Sequence, residues 1–220
     1  MKYKYYSRVF TFIIFGLVIT IASNCKKDDP IQTVKDIDHN VYKTVKIGNQ
    51  EWMSENLRVK RFKNGDSIKT TSTPTQDIFF IENPTYQWSY EGNEDNANKY
   101  GRLYSYFAIV DTCGICPEGW HIPSDQEWTI LTDYLGGENI AQQLLREKNF
   151  NPQYGGFRLV DQFIDLNLYG QYGSNTTVED TVPGAIDQVY IRTMAAGSKI
   201  VFRSYRYKKS GVSVRCIRDE

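Results

Sequence analysis

The longest apolar run in the chain, VFTFIIFGLVITI over residues 9–21, comes at its start and has no equal further on. It is well short of the roughly 20 apolar residues that a bilayer-spanning helix needs. Beyond residue 40 the pattern changes to short alternations. Val41, Val45 and Ile47 lead into a Gly48-Asn49 turn and then Trp52, which predicts a β-hairpin. Asn64-Gly65 predicts a second turn. Residues 70–98 are polar and irregular and end in the acidic EGNEDNANK, read as a solvated loop. YGRLYSYFAIV follows as a strand or turn-and-strand, with Tyr100, Tyr104 and Tyr106 packed inward.

One helix is marked at both ends. Ser124 and Glu127 make a capping box, Trp128, Leu131 and Leu135 form one apolar stripe, and Gly136-Gly137 stops it. A second short helix is predicted over residues 139–148, with Ala141, Leu144 and Leu145 inward. After GGF at 155–157 the chain returns to strands and long polar loops, punctuated by Gly170, Gly173 and Pro183. SKIVFRSYRYK and GVSVRCIR read as the last strands, with Val212, Val214 and Cys216 on one face. No period of 20–50 residues recurs. These elements predict a single α+β, β-rich domain with one or two short helices.

The charge balance narrows the partners. Beyond Cys25 the chain carries 23 Lys+Arg against 26 Asp+Glu, a formal charge of −3 with no basic cluster. A nucleic-acid partner is therefore not expected. The roughly 195 residues after Cys25 suit one domain. Sixteen tyrosines and few helix-forming stretches agree with a sheet-rich core.

The reactive side chains are few: Cys25, Cys113, Cys116, Cys216, His39 and His121. CGIC at 113–116 has redox or zinc spacing, but there is no second C-x-x-C, and Pro117 and Gly119 keep a helix from opening after Cys116. No metal and no cofactor are expected. His121, between Trp120 and Ile122, reads as a hydrogen-bonded structural histidine, and Ser124 has its role as a cap. Glu91, Glu94 and Asp95 lack the alternating spacing of an EF-hand loop. No nucleophile–base pair stands out, so no enzyme is expected.

The N-terminus has the three parts of a secretory signal: basic Lys2, Lys4 and Arg8, the short apolar core, and small residues at Ala22 and Ser23. IASNC resembles a bacterial lipobox, which implies cleavage before Cys25 and a lipid on its thiol. KKDDP, directly after Cys25, cannot bury itself and reads as a charged tether. It is also similar to the lysine–acid signals that take some outer-membrane lipoproteins to the cell exterior. The expected layout is a signal over 1–24, a lipidated tether over 25–38 and a domain over 39–220. The membrane is then a partner through the lipid anchor. With Cys25 modified, three thiols remain, giving one bridge and one spare.

Six blocks occur together and in order: DIDHNVYKTVKIGNQEWMSENLR, YGRLYSYFAI, CPEGWHIPSDQEWTIL, LGG with its following Ala and Leu, GGF, and GVSVRCIRD. The set, spanning 36–219, resembles the Fibrobacter-succinogenes major paralogous domain of secreted bacterial proteins and lipoproteins. IPSDQEW and the SVRC strand are also similar to elements of formylglycine-generating-enzyme-like proteins, which implies a C-type-lectin-like fold. The paired copper-binding cysteines of those enzymes have no counterpart, since only Cys216 lies near the C-terminus. In a lectin-like sheet Cys116 would sit before the helix and pair with Cys216, with Cys113 as the alternative partner. The same resemblance places recognition in residues 161–187, with Tyr169 and Tyr172 as stacking faces. Asn175, Glu179, Asp180 and Asp187 would be the polar contacts. The resulting expectation is a surface-attached lipoprotein that binds a glycan or a surface protein, or else a structural part of a surface assembly.

Overall fold

Thr33–Lys35 (β1) pairs antiparallel with Val41–Ile47 (β2), which turns through Gly48 into Gln50–Met53 (β3). The hairpin and its turn lie where the alternation predicts them. The computed structural model describes residues 1, 32–179 and 187–220, which beyond Met1 belong to the compact unit Ile31–Glu220. Cys25, the apolar run before it and Asp180 lie outside the described residues. Among the described residues no helix is long and apolar enough to cross a membrane.

β1 corrects the expected tether over 25–38, because its last residues are built into the domain. Asp36 is buried and its carboxylate accepts from the Tyr42 hydroxyl at 2.6 Å and from the backbone and side-chain nitrogens of Asn40, each at 2.9 Å. Val34 and Ile37 pack against the core behind it.

The chain continues through Gln87–Trp88 (β4), a 3-10 turn at Tyr90–Gly92, Glu94–Tyr100 (α1) and Leu103–Tyr104 (β5). Tyr106–Ile109 (α2), Trp120–His121 (β6), Asp125–Tyr134 (α3) and Glu138–Glu147 (α4) follow. The last elements are Gly155–Arg158 (β7), Phe163–Leu166 (β8), Tyr169–Thr177 (β9), Gln188–Ala195 (β10), Val201–Tyr207 (β11) and Ile217–Arg218 (β12). One five-stranded sheet has the order β1-β2-β3-β12-β6, and a second the order β11-β10-β9-β7-β8. β4 and β5 make a separate pair. The domain is α+β and β-rich, with four short α-helices among the described residues where one or two are expected.

α3 and α4 match their sequence signals. The Ser124 hydroxyl accepts from the Glu127 N–H while the Glu127 carboxylate accepts from the Ser124 N–H, and Trp128 and Leu131 are buried. Two readings are corrected. The acidic stretch read as a solvated loop contains α1, capped by the Asn93 side chain on the Asp95 N–H and ended at Gly101 with φ 80°. The stretch read as a long polar loop contains β8 and β9. Gly170 and Gly173 mark close approach there, not turns. A Cβ on Gly170 would stand 2.4 Å from the Gln153 carbonyl, and one on Gly173 would stand 2.9 Å from Ile109.

Two main cores are packed against these sheets. Tyr42, Met53, Tyr104, Ile191, Val212 and Val214 fill one, together with the Cys116–Cys216 disulfide, whose Cα atoms are 5.9 Å apart. This is the pairing expected, and among the described residues Cys113 is the free thiol. Trp52, Trp128, Phe150, Tyr172 and Met194 fill the other, with the two indole rings 4.6 Å apart. Arg215 is buried among them. Its guanidinium lies 4.4 Å from the Phe150 ring and donates to Asn56 Oδ1 at 2.8 Å, to the Asn151 carbonyl at 2.7 Å and to the Phe150 carbonyl.

Candidate functional site

The five described residues among those expected to bind a ligand, Tyr169, Tyr172, Asn175, Glu179 and Asp187, do not form one site. Tyr172 is corrected outright: it is fully buried, and its hydroxyl donates to the Gln153 carbonyl at 2.7 Å while accepting from the Gln153 N–H at 2.8 Å. It fills the core under Trp128 and has no face to offer. Tyr169 is exposed at the first position of β9, opposite Ala195. Asn175 lies six residues along the same strand, roughly 20 Å away at about 3.3 Å per residue. Its amide donates to the Ile122 carbonyl at 3.3 Å, which fastens β9 to the segment before α3. Glu179 is exposed just beyond β9, and Asp187 stands immediately before β10 with its carbonyl accepting from the Lys208 N–H at 2.9 Å. The strand geometry of β9 separates what a folded loop would gather.

Three cavities of 430, 360 and 310 Å³ join side by side along α1 instead. The first and third share Arg58 and Asn98, and the second and third share Lys60, Glu94 and Arg102. Glu94, Ala97, Asn98 and Gly101 line them at helical spacing, so one face of α1 forms one wall. The opposite wall comes from the extended segment after β3. The sequence signal for this wall was legible: Asn93 as cap, acids in the first turn, Lys99 in the last and Gly101 as stop.

Arg102 is the floor of this trough. Its residue is 3% exposed, and its guanidinium donates to Gln87 Oε1 at 2.7 Å and to Glu94 Oε2, while its Nε has no partner. Lys60 Nζ sits on the same Glu94 oxygen at 2.9 Å. Glu94 therefore receives two cations on one oxygen, and its side chain is 55% exposed. Burial alone would push this carboxyl up, but the bonds and charges of Arg102 and Lys60 outweigh it and hold the group below its usual range. Asp38, at the rim, is treated alike: burial opposes ionisation, and the Lys60 N–H and the Arg61 side chain, each at 2.5 Å, prevail. Both acids stay ionised. That suits them to accept hydrogen bonds and leaves neither suited to act as a general acid, which needs a raised value.

His121 is occupied on both sides, with Nδ1 2.6 Å from Asp219 and Nε2 2.7 Å from Glu127. Neither ring nitrogen is left to serve as a base. Among the described residues no group of three His, Cys, Asp or Glu side chains is arranged to hold a metal ion.

The family model described as the Fibrobacter succinogenes major domain matches residues 45–218. That span begins within β2 and takes in every later strand of both sheets. The chain belongs to the Fibrobacter succinogenes major domain family. No curated protein and no solved structure matches it. In this Fibrobacter succinogenes major domain the matched span holds the capping box of α3, the disulfide and the whole trough except Asp38 and Asn40.

Proposed function

We propose that this Fibrobacter succinogenes major domain is a lipid-anchored, non-catalytic recognition module, facing the cell exterior and taking a hydroxyl-rich ligand, a glycan, in the trough over Arg102. The observation that carries the reading is the Lys60–Glu94–Arg102 cluster. A buried arginine fixes a carboxylate whose second oxygen remains free to accept, beside an ammonium that can donate. Such a fixed donor–acceptor pair matches the adjacent hydroxyls of a sugar, and the burial of Arg102 means little has to be ordered on binding. Cavities of this size hold one or two sugar rings. Trp88 at the trough wall is buried under Arg158, so recognition rests on hydrogen bonds and not on stacking.

Lipidation of Cys25 and the KKDDP tether supply the anchor in this reading. The kinship to C-type-lectin-like domains belongs to it as well, supported by the capped helix α3 and the closing Cys216 segment. The purified chain screened on an array of bacterial and plant glycans tests the recognition claim. Saturable binding to a defined oligosaccharide is expected, and an array without a single saturable signal would sink it.

A further inference from the structure

β11 is the outermost strand of the second sheet. It pairs with β10 from Gln188↔Tyr207 to Met194↔Val201 without a shift of register, and no strand lies on its other side among the described residues. An unpaired edge offers a row of backbone N–H and C=O groups to any arriving strand, and bulges, prolines or lysines are the usual devices against it. No bulge, proline or lysine occurs within β11, and its charged residues are Arg203 and Arg206. Phe202, Tyr205 and Tyr207 are instead exposed along it.

The chemistry of this edge reads alike in both directions. About Ser204 the sequence is Phe-Arg-Ser-Tyr-Arg. If two such strands run antiparallel with Ser204 opposite Ser204, each Phe202 faces an Arg206 and each Arg203 faces a Tyr205. Directly opposed residues share a face at about 4.5–5.5 Å, within the roughly 6 Å over which a guanidinium is attracted to a ring. The chain makes the same contact internally, with Arg203 3.8 Å from the Tyr190 ring and Arg206 4.6 Å from that of Phe157. Asp125 bonds Arg203 at 2.9 Å and shares its charge between Arg203 and the buried Arg192 at 2.5 Å, so the arginines brought together are only partly offset. α4 closes the Val201 end, where the Gln142 N–H and the Arg146 side chain reach the Lys199 and Ser198 carbonyls. The open run is therefore 202–206, which is the self-complementary part.

We propose that two copies of this chain associate through β11, antiparallel and in register about Ser204, joining their second sheets edge to edge. A foreign strand would need its own matching sequence, whereas a second copy supplies every complement by two-fold symmetry. The proposal is independent of glycan recognition, since the trough lies on α1 and not on this sheet.

Site-directed cross-linking of the full chain tests it, in a background with Cys25→Ser and Cys113→Ser. Ser204→Cys places two thiols across the axis, inside the roughly 4.4–6.8 Å Cα separation a disulfide accepts. Tyr205→Cys places them two residues out of register. Mild oxidation is expected to give a covalent dimer of Ser204→Cys and to leave Tyr205→Cys monomeric, with the Cys116–Cys216 bridge intact in both as a check of folding. No dimer of Ser204→Cys, or equal dimer from both, would overturn the register. In sedimentation the parent background should be dimeric and its Phe202→Lys, Tyr205→Lys derivative, which sets like charges opposite Arg206 and Arg203, monomeric. A monomeric parent, or a derivative that remains dimeric, would overturn the interface itself.

Discussion

His121 Nε2 lies 2.7 Å from Glu127 Oε1, and this contact ties β6 to the first turn of α3. Burial pulls the imidazole pKa down, but the bonds and charges of Glu127 and Asp219 raise it above 6.5 overall. A raised histidine contributes stability that is complete below its unfolded value, about 6.5, and is lost as pH rises through the folded one. For Glu127 burial raises the value, and the Ser124 and His121 bonds more than reverse that, so its share is lost only as pH falls through a value below 4.5. The urea midpoint is expected to fall as pH rises beyond about 6.5. His121→Asn should flatten that decline. An identical pH profile in the variant would show that the contact does not couple to folding.

The Cys116–Cys216 bridge closes a separation of 100 residues between the approach to β6 and the approach to β12. Replacing both cysteines by serine should cost about 2–5 kcal/mol in equilibrium unfolding. Cys113→Ser should stay within about 0.5 kcal/mol. If Cys113→Ser were the costly change, the pairing drawn here would be wrong.

How far these features could be read from sequence depended on whether the signal was local. Ser124, Glu127, Trp128 and the Gly136-Gly137 stop all act within one helix, so α3 was legible to the residue. The Gly48 turn is equally local. β9 was not legible, because Gly170 and Gly173 are small in order to admit Gln153, Ile109 and Val212 from distant parts of the chain. Without those neighbours the same residues read as a loop, and Tyr172 then reads as a solvent-facing ring. The trough was missed for a similar reason. Lys60, Glu94 and Arg102 have no motif spacing, and only the fold brings Lys60 to α1.

Arg215 makes a prediction about the core. It is fully buried, and burial lowers its pKa to about 10. Its donors satisfy Asn56 and two backbone carbonyls around Phe150, so Arg215→Ala strands several buried acceptors and leaves a cavity. A loss of about 3–5 kcal/mol in urea unfolding is expected. Arg215→Lys should recover less than half of that, because one ammonium cannot reproduce the planar fork. Full rescue by lysine would mean that charge alone matters at this position.

The anchor is tested at Cys25. In cells producing the full chain, metabolic labelling with a fatty acid should mark the wild type and not Cys25→Ala, and the variant should leave the membrane fraction. Labelling that persists in the variant would place any lipid elsewhere.

The trough over Arg102 is the centre of the functional account, and its most direct test is a comparison on one glycan array. Wild type, Lys60→Met with Glu94→Gln, and Tyr169→Ala are applied side by side after each is shown to melt cooperatively. The account predicts that the double variant loses at least about tenfold in apparent affinity, equivalent to about 1.4 kcal/mol, while Tyr169→Ala binds as the wild type does. Unchanged binding by the double variant, or a loss confined to Tyr169→Ala, would contradict it.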